Sequence, residues 1–446
     1  MPVTPFGHLL AVTLIALGSL LPVPVHAQTR GGPPMGMPGG GGFAGPMGGG
    51  PPVGSPVHLP DIPVRGRPAW AGVEAVTAAT ERATQAVSAK LSKVQRDRAA
   101  DRVKQAPGLY ELDRKGALSI RGEVMVTGLD GAALAHLAQS GFAVLRRDKV
   151  PGVDMDLAVV SRTGLDITHA IRMLRKIAPE GTYAPNHVLF ESGLTANARR
   201  PSRGAQADVA GGEGVVTVGL VDTGVAPAID SDPRIHMVRR NFAAGESRPG
   251  AHGTAVAALL ARERGRLTLY AADIFGSDVR GGTSELLVRA LGWMATSRVP
   301  VVNVSMVGPA NPIVALVVAR LTGLGFTIVA PVGNDGGAAR PLYPASYPGV
   351  VAVSAVGANG RLLPEASRVR RVDFVAPGIA TVPDPAGRPT EVRGTSFATP
   401  IVSRLIADRV RVPDVAAAQR AIRALATGAQ RPRGDAGAYG HGMIGL

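Results

Sequence analysis

The 446-residue chain contains no cysteine. Disulfides, thiolate metal sites and a lipidated cysteine anchor are therefore excluded, while export stays open. Aromatic residues are scarce, at 4%. They do not interleave with a compact Lys/Arg patch, so the formal charge of +15 reads as a solvated, Arg-rich surface, and nucleic acid is not expected as a partner. Long hydrophobic runs are also missing. "LLAVTLIALGSLLPVPV", near the amino terminus, is short for a membrane helix and carries Pro22 and Pro24, so no stable span is expected. Acidic residues do not cluster as a calcium loop would require. No cofactor is evident. Calcium is not indicated and is left open only through backbone carbonyls.

What the chain does have is unevenly spread. Its 58 glycines and 37 prolines gather in tracts beside globular stretches. Residues 1–27 read as a secretory signal peptide, with "VHA" before a cut after Ala27 and no Lys or Arg ahead of the apolar run. The expected location is thus periplasmic or extracellular. Residues 28–69, rich in Gly, Pro and Met, cannot bury enough side chain to fold and read as a disordered tether. Over 70–105, Val73, Val76, Thr80, Ala83, Val87, Leu91 and Val94 recur at steps of three and four. The spacing predicts an amphipathic helix, packed on its own chain or paired as a coiled coil.

Residues 106–192 alternate strand and helix patterns in the order β-α-β-β-α-β, a small α+β, ferredoxin-like plan. Asp130 and Asp166 are the expected helix caps, and "NHVLFES" is the expected last strand. His136 and His169, with no second ligand at metal spacing, read as ordinary surface or core residues. Residues 193–214 are small, polar and basic, a linker exposing Arg199, Arg200 and Arg203 to cleavage. From residue 215 to 446 come "VVTVGLVD", "LTLYAAD", "PVVNVSM", "FTIVAPV" and "VVAVSAV". Strands this apolar are buried on both faces, which predicts an α/β domain with a doubly wound, mostly parallel sheet.

Four stretches in this last region carry chemistry. "VGLVDTGV" puts Asp222 at the end of a buried strand. "AHGTAVAALLA" puts His252 at a helix start. "VAPVGNDGG" puts Asn334 beyond another strand end, and "VRGTSFATP" brings Ser396 to a helix start. The crevice beyond the carboxyl ends of a parallel sheet could receive all four. A serine is a poor nucleophile until an imidazole takes its proton, and that imidazole needs a carboxylate to orient it. The Asn334 amide and the Ser396 backbone N–H could then face an oxyanion. Each piece alone has a plainer reading: Asp222 and Asn334 as turn formers, Ser396 as a helix cap.

The order Asp, His, Asn, Ser in these contexts, together with "VVNVSMVGP", "YPASYPGVVAVSAV", "DFVAPG" and "YGHGMIGL", resembles the catalytic domain of the subtilisin family of serine peptidases. The resemblance implies an exported serine endopeptidase acting on protein or peptide substrates through an acyl-enzyme. It implies Asp222, His252 and Ser396 as the triad and Asn334 as the oxyanion donor. Gly281 and Gly282 on one side, and Ser305, Met306 and Val307 on the other, would bind the substrate backbone. It also implies that residues 106–192 are a propeptide-like chaperone and intramolecular inhibitor, with "LFESG" in the cleft; a permanently attached accessory domain is the other reading of this segment. Ala251, Ala255, Val307 and Pro331 depart from the common pattern and bear on specificity. Two other readings stay open on sequence alone: a catalytically silent binding protein that keeps the cleft, and a surface-tethered adhesion protein.

Overall fold

In a computed structural model of the protein, the described residues are 97, 99–192, 194–195, 214–262, 265–336, 340–369, 371–431 and 436–445. They all belong to one compact unit, Arg67–Leu446. The expected signal peptide and tether, most of the expected helix over 70–105 and most of the linker lie outside the described residues; helix α1 covers residues 99–105.

The first sheet contains β1 (Tyr110–Leu112), β2 (Leu118–Thr127), β3 (Ala143–Val150), β4 (Met155–Ser161) and β5 (Thr182–His187). Its order is β1-β2-β4-β3, with β5 also on β2, and every pairing is antiparallel. Helix α2 (Gly131–Gln139) is capped by Asp130, whose carboxylate accepts from the Ala133 N–H, and α3 (Ile167–Ile177) by Asp166. The order β5-β2-β4-β3 with two helices is the expected ferredoxin-like plan.

Strand alternation decides what each face meets. Val124, Val126, Ala158 and Val160 point to α2 and α3 and share a core with Leu134, Leu137, Ala170 and Leu174. Met125, Leu157 and Val159 point the other way, into a core shared with Leu287, Leu291, Met294 and Val317. These last four come from α5 (Ser284–Thr296) and α6 (Pro312–Gly323). One face of the small sheet is thus buried against helices of the larger domain.

The second sheet has the order β15-β14-β13-β11-β8-β10-β9, all parallel. Its strands are β8 (Val216–Asp222), β9 (Ile235–Asn241), β10 (Leu267–Asp273), β11 (Val301–Val304), β13 (Thr327–Pro331), β14 (Val351–Val356) and β15 (Phe374–Pro377). Helix α4 (Ala251–Leu260) packs with α7 (Thr395–Ala407), and α5 and α6 pack together. Both faces are buried: Val218 and Leu220 lie in the core under α4 and α7, and Val221 in the core under α5 and α6. From β8 the chain reaches β10 on one side and β11 on the other, the topological switch point where such sheets open a crevice.

One strand differs from expectation. The expected strand "NHVLFES" is split: Asn186 and His187 end β5, the last strand of the small sheet, and the rest leaves it. Phe190–Glu191 forms β6, antiparallel to β12 (Met306–Val307) of the large domain. The extended signal in the sequence is genuine, but its partner lies more than a hundred residues away, and local pattern does not specify partners.

Candidate active site

Asp222 is the last residue of β8, and its Oδ1 accepts from the Thr223 N–H at 2.7 Å. His252 is the second residue of α4. Its Nδ1 lies 2.9 and 3.0 Å from the two carboxylate oxygens of Asp222. Both side chains are 1% exposed. The imidazole also meets the Phe397 ring, with centroids 5.2 Å apart. Nε2 of His252 is buried and has no hydrogen-bond partner. With Nδ1 held by a carboxylate, this is the nitrogen free to take a proton.

Gly394 precedes α7 at φ 140°, a conformation that side chains resist, and so lets the chain turn sharply into Thr395 and Ser396. Pro400 lies inside the helix and lacks the N–H that would bond the Ser396 carbonyl. That carbonyl accepts instead from Ser305 Oγ at 3.4 Å, while Ser396 Oγ donates to the Ser305 carbonyl at 3.4 Å. Ser396 is fully buried.

Asn334 follows β13. Its Oδ1 accepts from the Thr395 N–H at 3.0 Å, which aims Nδ2 into the cleft. The loop is tied down from outside: Ser367 N donates to Gly333 O at 2.9 Å and Gly336 N to Glu365 O at 2.8 Å. Glu365 in turn accepts a two-pronged contact from Arg393, at 2.6 and 3.0 Å, just ahead of the serine turn.

Between these groups runs the chain's own segment 188–192. Val188 bridges antiparallel to Thr283, and Leu189 N donates to Gly282 O at 2.8 Å. Phe190 and Glu191 pair with Val307 and Met306 on the other side. The Ser192 carbonyl then accepts from the Ser396 N–H at 3.2 Å. Beyond it, Leu194 and Thr195 form β7 and pair with Arg393 and Val392 of β17 (Pro389–Arg393). Leu189 is buried against Gly308, where any side chain would overlap it.

Of the expected site residues, Asp222 and His252 touch. Ser396 and Asn334 converge on Ser192, while Gly282, Met306 and Val307 pair with the segment. Ser305 backs the serine turn. Gly281, at φ 69°, bonds through its N–H to Asp278 O at 3.1 Å and shapes the turn before the edge. The resemblance placed "LFESG" in the cleft but assigned no role to Ser192 itself, to Thr395 or to the Glu365–Arg393 pair. The one signal for Ser192 was its place at the end of a strand-like run just before a linker.

Burial opposes charge on His252, but Asp222 beside it outweighs burial. With help from Glu191 and the Ser192 carbonyl, the imidazole titrates above its ordinary value. Glu191 retains solvent contact, yet the surrounding protein desolvates its carboxyl and raises it, with Asp222 adding to the rise and His252 opposing it. Among the described residues, no three His, Asp or Glu side chains gather as a metal site would require, and no helix is long and apolar enough to cross a membrane.

The sequence profile of the subtilase family matches residues 212–442. Subtilisin DY of Bacillus licheniformis is 31% identical over 249 residues, which are 52% of this chain and 89% of that protein. Subtilisin E of Bacillus subtilis (strain 168) is 29% identical over 208 residues, 42% of this chain and 53% of that protein, so the chain spans about half the length of this relative. Fervidolysin from Fervidobacterium pennivorans, described as a keratinolytic enzyme related to subtilisin, shares the fold at a TM-score of 0.59 and 18% identity, covering 76% of this chain and 62% of that one. The epidermin leader peptide processing serine protease from Staphylococcus aureus does so at a TM-score of 0.56 and 17% identity, covering 72% of this chain and 96% of that one. The chain belongs to the subtilase family of serine endopeptidases.

Proposed function

We propose that the chain is an exported precursor whose triad is Asp222, His252 and Ser396 and whose oxyanion donors are the Asn334 amide and the Ser396 N–H. Residues 106–192 act as chaperone and inhibitor, and their exit strand is the first substrate. One observation carries this reading: the Ser192 carbonyl sits on the Ser396 N–H while the residues before it are hydrogen-bonded along both cleft edges. Strand addition of this kind uses main-chain bonds for affinity and side-chain pockets for choice.

For the reaction, the Ser396 hydroxyl must turn from the Ser305 carbonyl to His252 Nε2. Ser396 Oγ attacks the Ser192 carbonyl carbon, and His252 Nε2 takes its proton. Asp222 holds the resulting imidazolium. The oxyanion meets its donors at the start of α7, where the helix dipole also favours negative charge. The Ser192–Gly193 bond breaks as His252 returns the proton to the Gly193 amine. Water then hydrolyses the Ser396 ester, again through His252, leaving a carboxylate on Ser192 and a free serine. Other proteins and peptides would be cut by the same steps once the exit strand leaves. The position before the scissile bond is expected to favour small residues beside Val307 and Pro331. Ser192 is small, though polar. Export rests on the apolar run before Ala27.

A fluorophosphonate probe tests the assignment. Ser396 should label after cleavage at residue 192 and stay silent in the uncut chain, where it is buried. Labelling at another serine, or peptidase activity in purified Ser396→Ala, would overturn it.

A further inference from the structure

The second oxyanion donor is not on the carbonyl it would stabilise. Asn334 Nδ2 donates to Ser192 Oγ at 3.1 Å, whereas the Ser396 N–H donates to the Ser192 carbonyl oxygen at 3.2 Å. The same hydroxyl lies 3.3 Å from Thr395 Oγ1. Thr395 N is already committed to Asn334 Oδ1 at 3.0 Å, so the amide is fixed in orientation, with its donor side toward Ser192. Ser192 is 3% exposed and Thr395 fully buried, which keeps water from competing for these contacts.

We propose, resting on the reading above, that the hydroxyl of a serine before the scissile bond is a brake: it draws the Asn334 amide off the carbonyl oxygen and slows cleavage after itself. The physical reason is differential binding. A hydrogen bond made to the ground state and given up in the transition state raises the barrier between them. To serve the oxyanion, Nδ2 must leave Ser192 Oγ. The hydroxyl then loses one of two polar partners in a buried site. An alanine in the same place has the same backbone and nearly the same volume, and leaves the amide free from the start. Thr395 belongs to this device as a positioning residue, since its N–H orients the amide and its hydroxyl holds the brake.

The consequence for the precursor is that the segment is a deliberately slow substrate, seated fully and cut late. The consequence for other substrates is discrimination between serine and alanine at one position, expressed in kcat and not in KM.

Two measurements test this. In the full chain, the first-order rate of self-cleavage should rise about tenfold in Ser192→Ala, part of the 10²–10³ that one oxyanion donor supplies in subtilisin. The gain should shrink to within about twofold when Ser192→Ala is made in an Asn334→Ala background, because no amide is left to release. An equal gain in both backgrounds, or no gain with Asn334 present, would overturn the proposal. Separately, processed enzyme should turn over a peptide with Leu-Phe-Glu-Ala before the scissile bond about tenfold faster in kcat than its Leu-Phe-Glu-Ser counterpart, at similar KM. Equal kcat values would also overturn it. If the full chain never cuts itself while the peptide pair shows this ratio, self-cleavage is wrong and the brake stands.

Discussion

His252 keeps one nitrogen on Asp222 and the other without a partner, and that division sets its task. As the proposed base, it would take its proton at Nε2. Activity should therefore fall as pH drops through the pKa of His252, since a protonated imidazole accepts nothing. Glu191 contributes to holding that pKa up, because its negative charge favours the imidazolium. Removing the charge in Glu191→Gln should lower the pKa, leave the base neutral further into acid, and move the acid limb of self-cleavage to lower pH. A rate profile of the full chain with and without the substitution reads this directly; an unchanged or upward-shifted limb would contradict it. Asn334→Ala should reduce kcat on peptides by about 10²–10³, the order reported by loss of one such donor in subtilisin, with KM nearly unchanged. Steady-state kinetics would show otherwise if Asn334 only shaped its turn. At this scale the settings were legible: Asp222 at a strand end, Asn334 beyond another, and His252 and Ser396 at helix starts. Ser192 was not legible. Nothing in "LFESG" announces an amide from residue 334 or an N–H from residue 396, and contacts that distant in sequence leave no periodic trace.

The amino ends of α5 and α6 are where the two lobes are joined. Asn186 Oδ1 accepts from the Glu285 N–H at 3.1 Å, in the first turn of α5, and Asn311 Nδ2 ahead of α6 donates to the Pro185 carbonyl at 3.0 Å. Beside them Arg146 spans two acids, at 2.7 Å from both Glu123 and Glu285. Burial opposes the arginine's charge, but these carboxylates more than restore it and hold it firmly protonated. Glu123 and Glu285 are nearly buried. Arg146→Ala would leave the two carboxylates facing each other across the joint with the longer Arg280–Glu123 contact, at 3.8 Å, to offset them, at a loss of about 3 kcal/mol. Urea unfolding in a Ser396→Ala background, where no cut intervenes, should show the midpoint fall with little change in slope. A midpoint equal to the parent's would mean the pair adds nothing. Elements themselves were legible where the pattern was strong: the buried strands from β8 to β14 and the two capped helices of the small domain. β9 was missed because an edge strand with exposed Arg239 and Arg240 lacks the apolar run that marks its neighbours.

The whole molecule is built around a sheet face that cannot face water. Met125, Leu157 and Val159 belong to the small domain, yet they complete the core over α5 and α6. Apolar burial is non-directional and scales with the area removed from water, so this face holds the small domain in place while the directional contacts in the cleft set the register of 188–192. Sequence pattern gave both domains their architecture. It could not give their docking, which depends on two apolar surfaces that each look complete as amphipathic elements. Intact mass measurement of purified full chain, beside Ser396→Ala prepared identically, tests the central claim most directly. The expected result is a wild-type product split between Ser192 and Gly193 and a Ser396→Ala product still joined there. A split at that bond in both proteins, or an active wild-type enzyme with the bond intact, would contradict it.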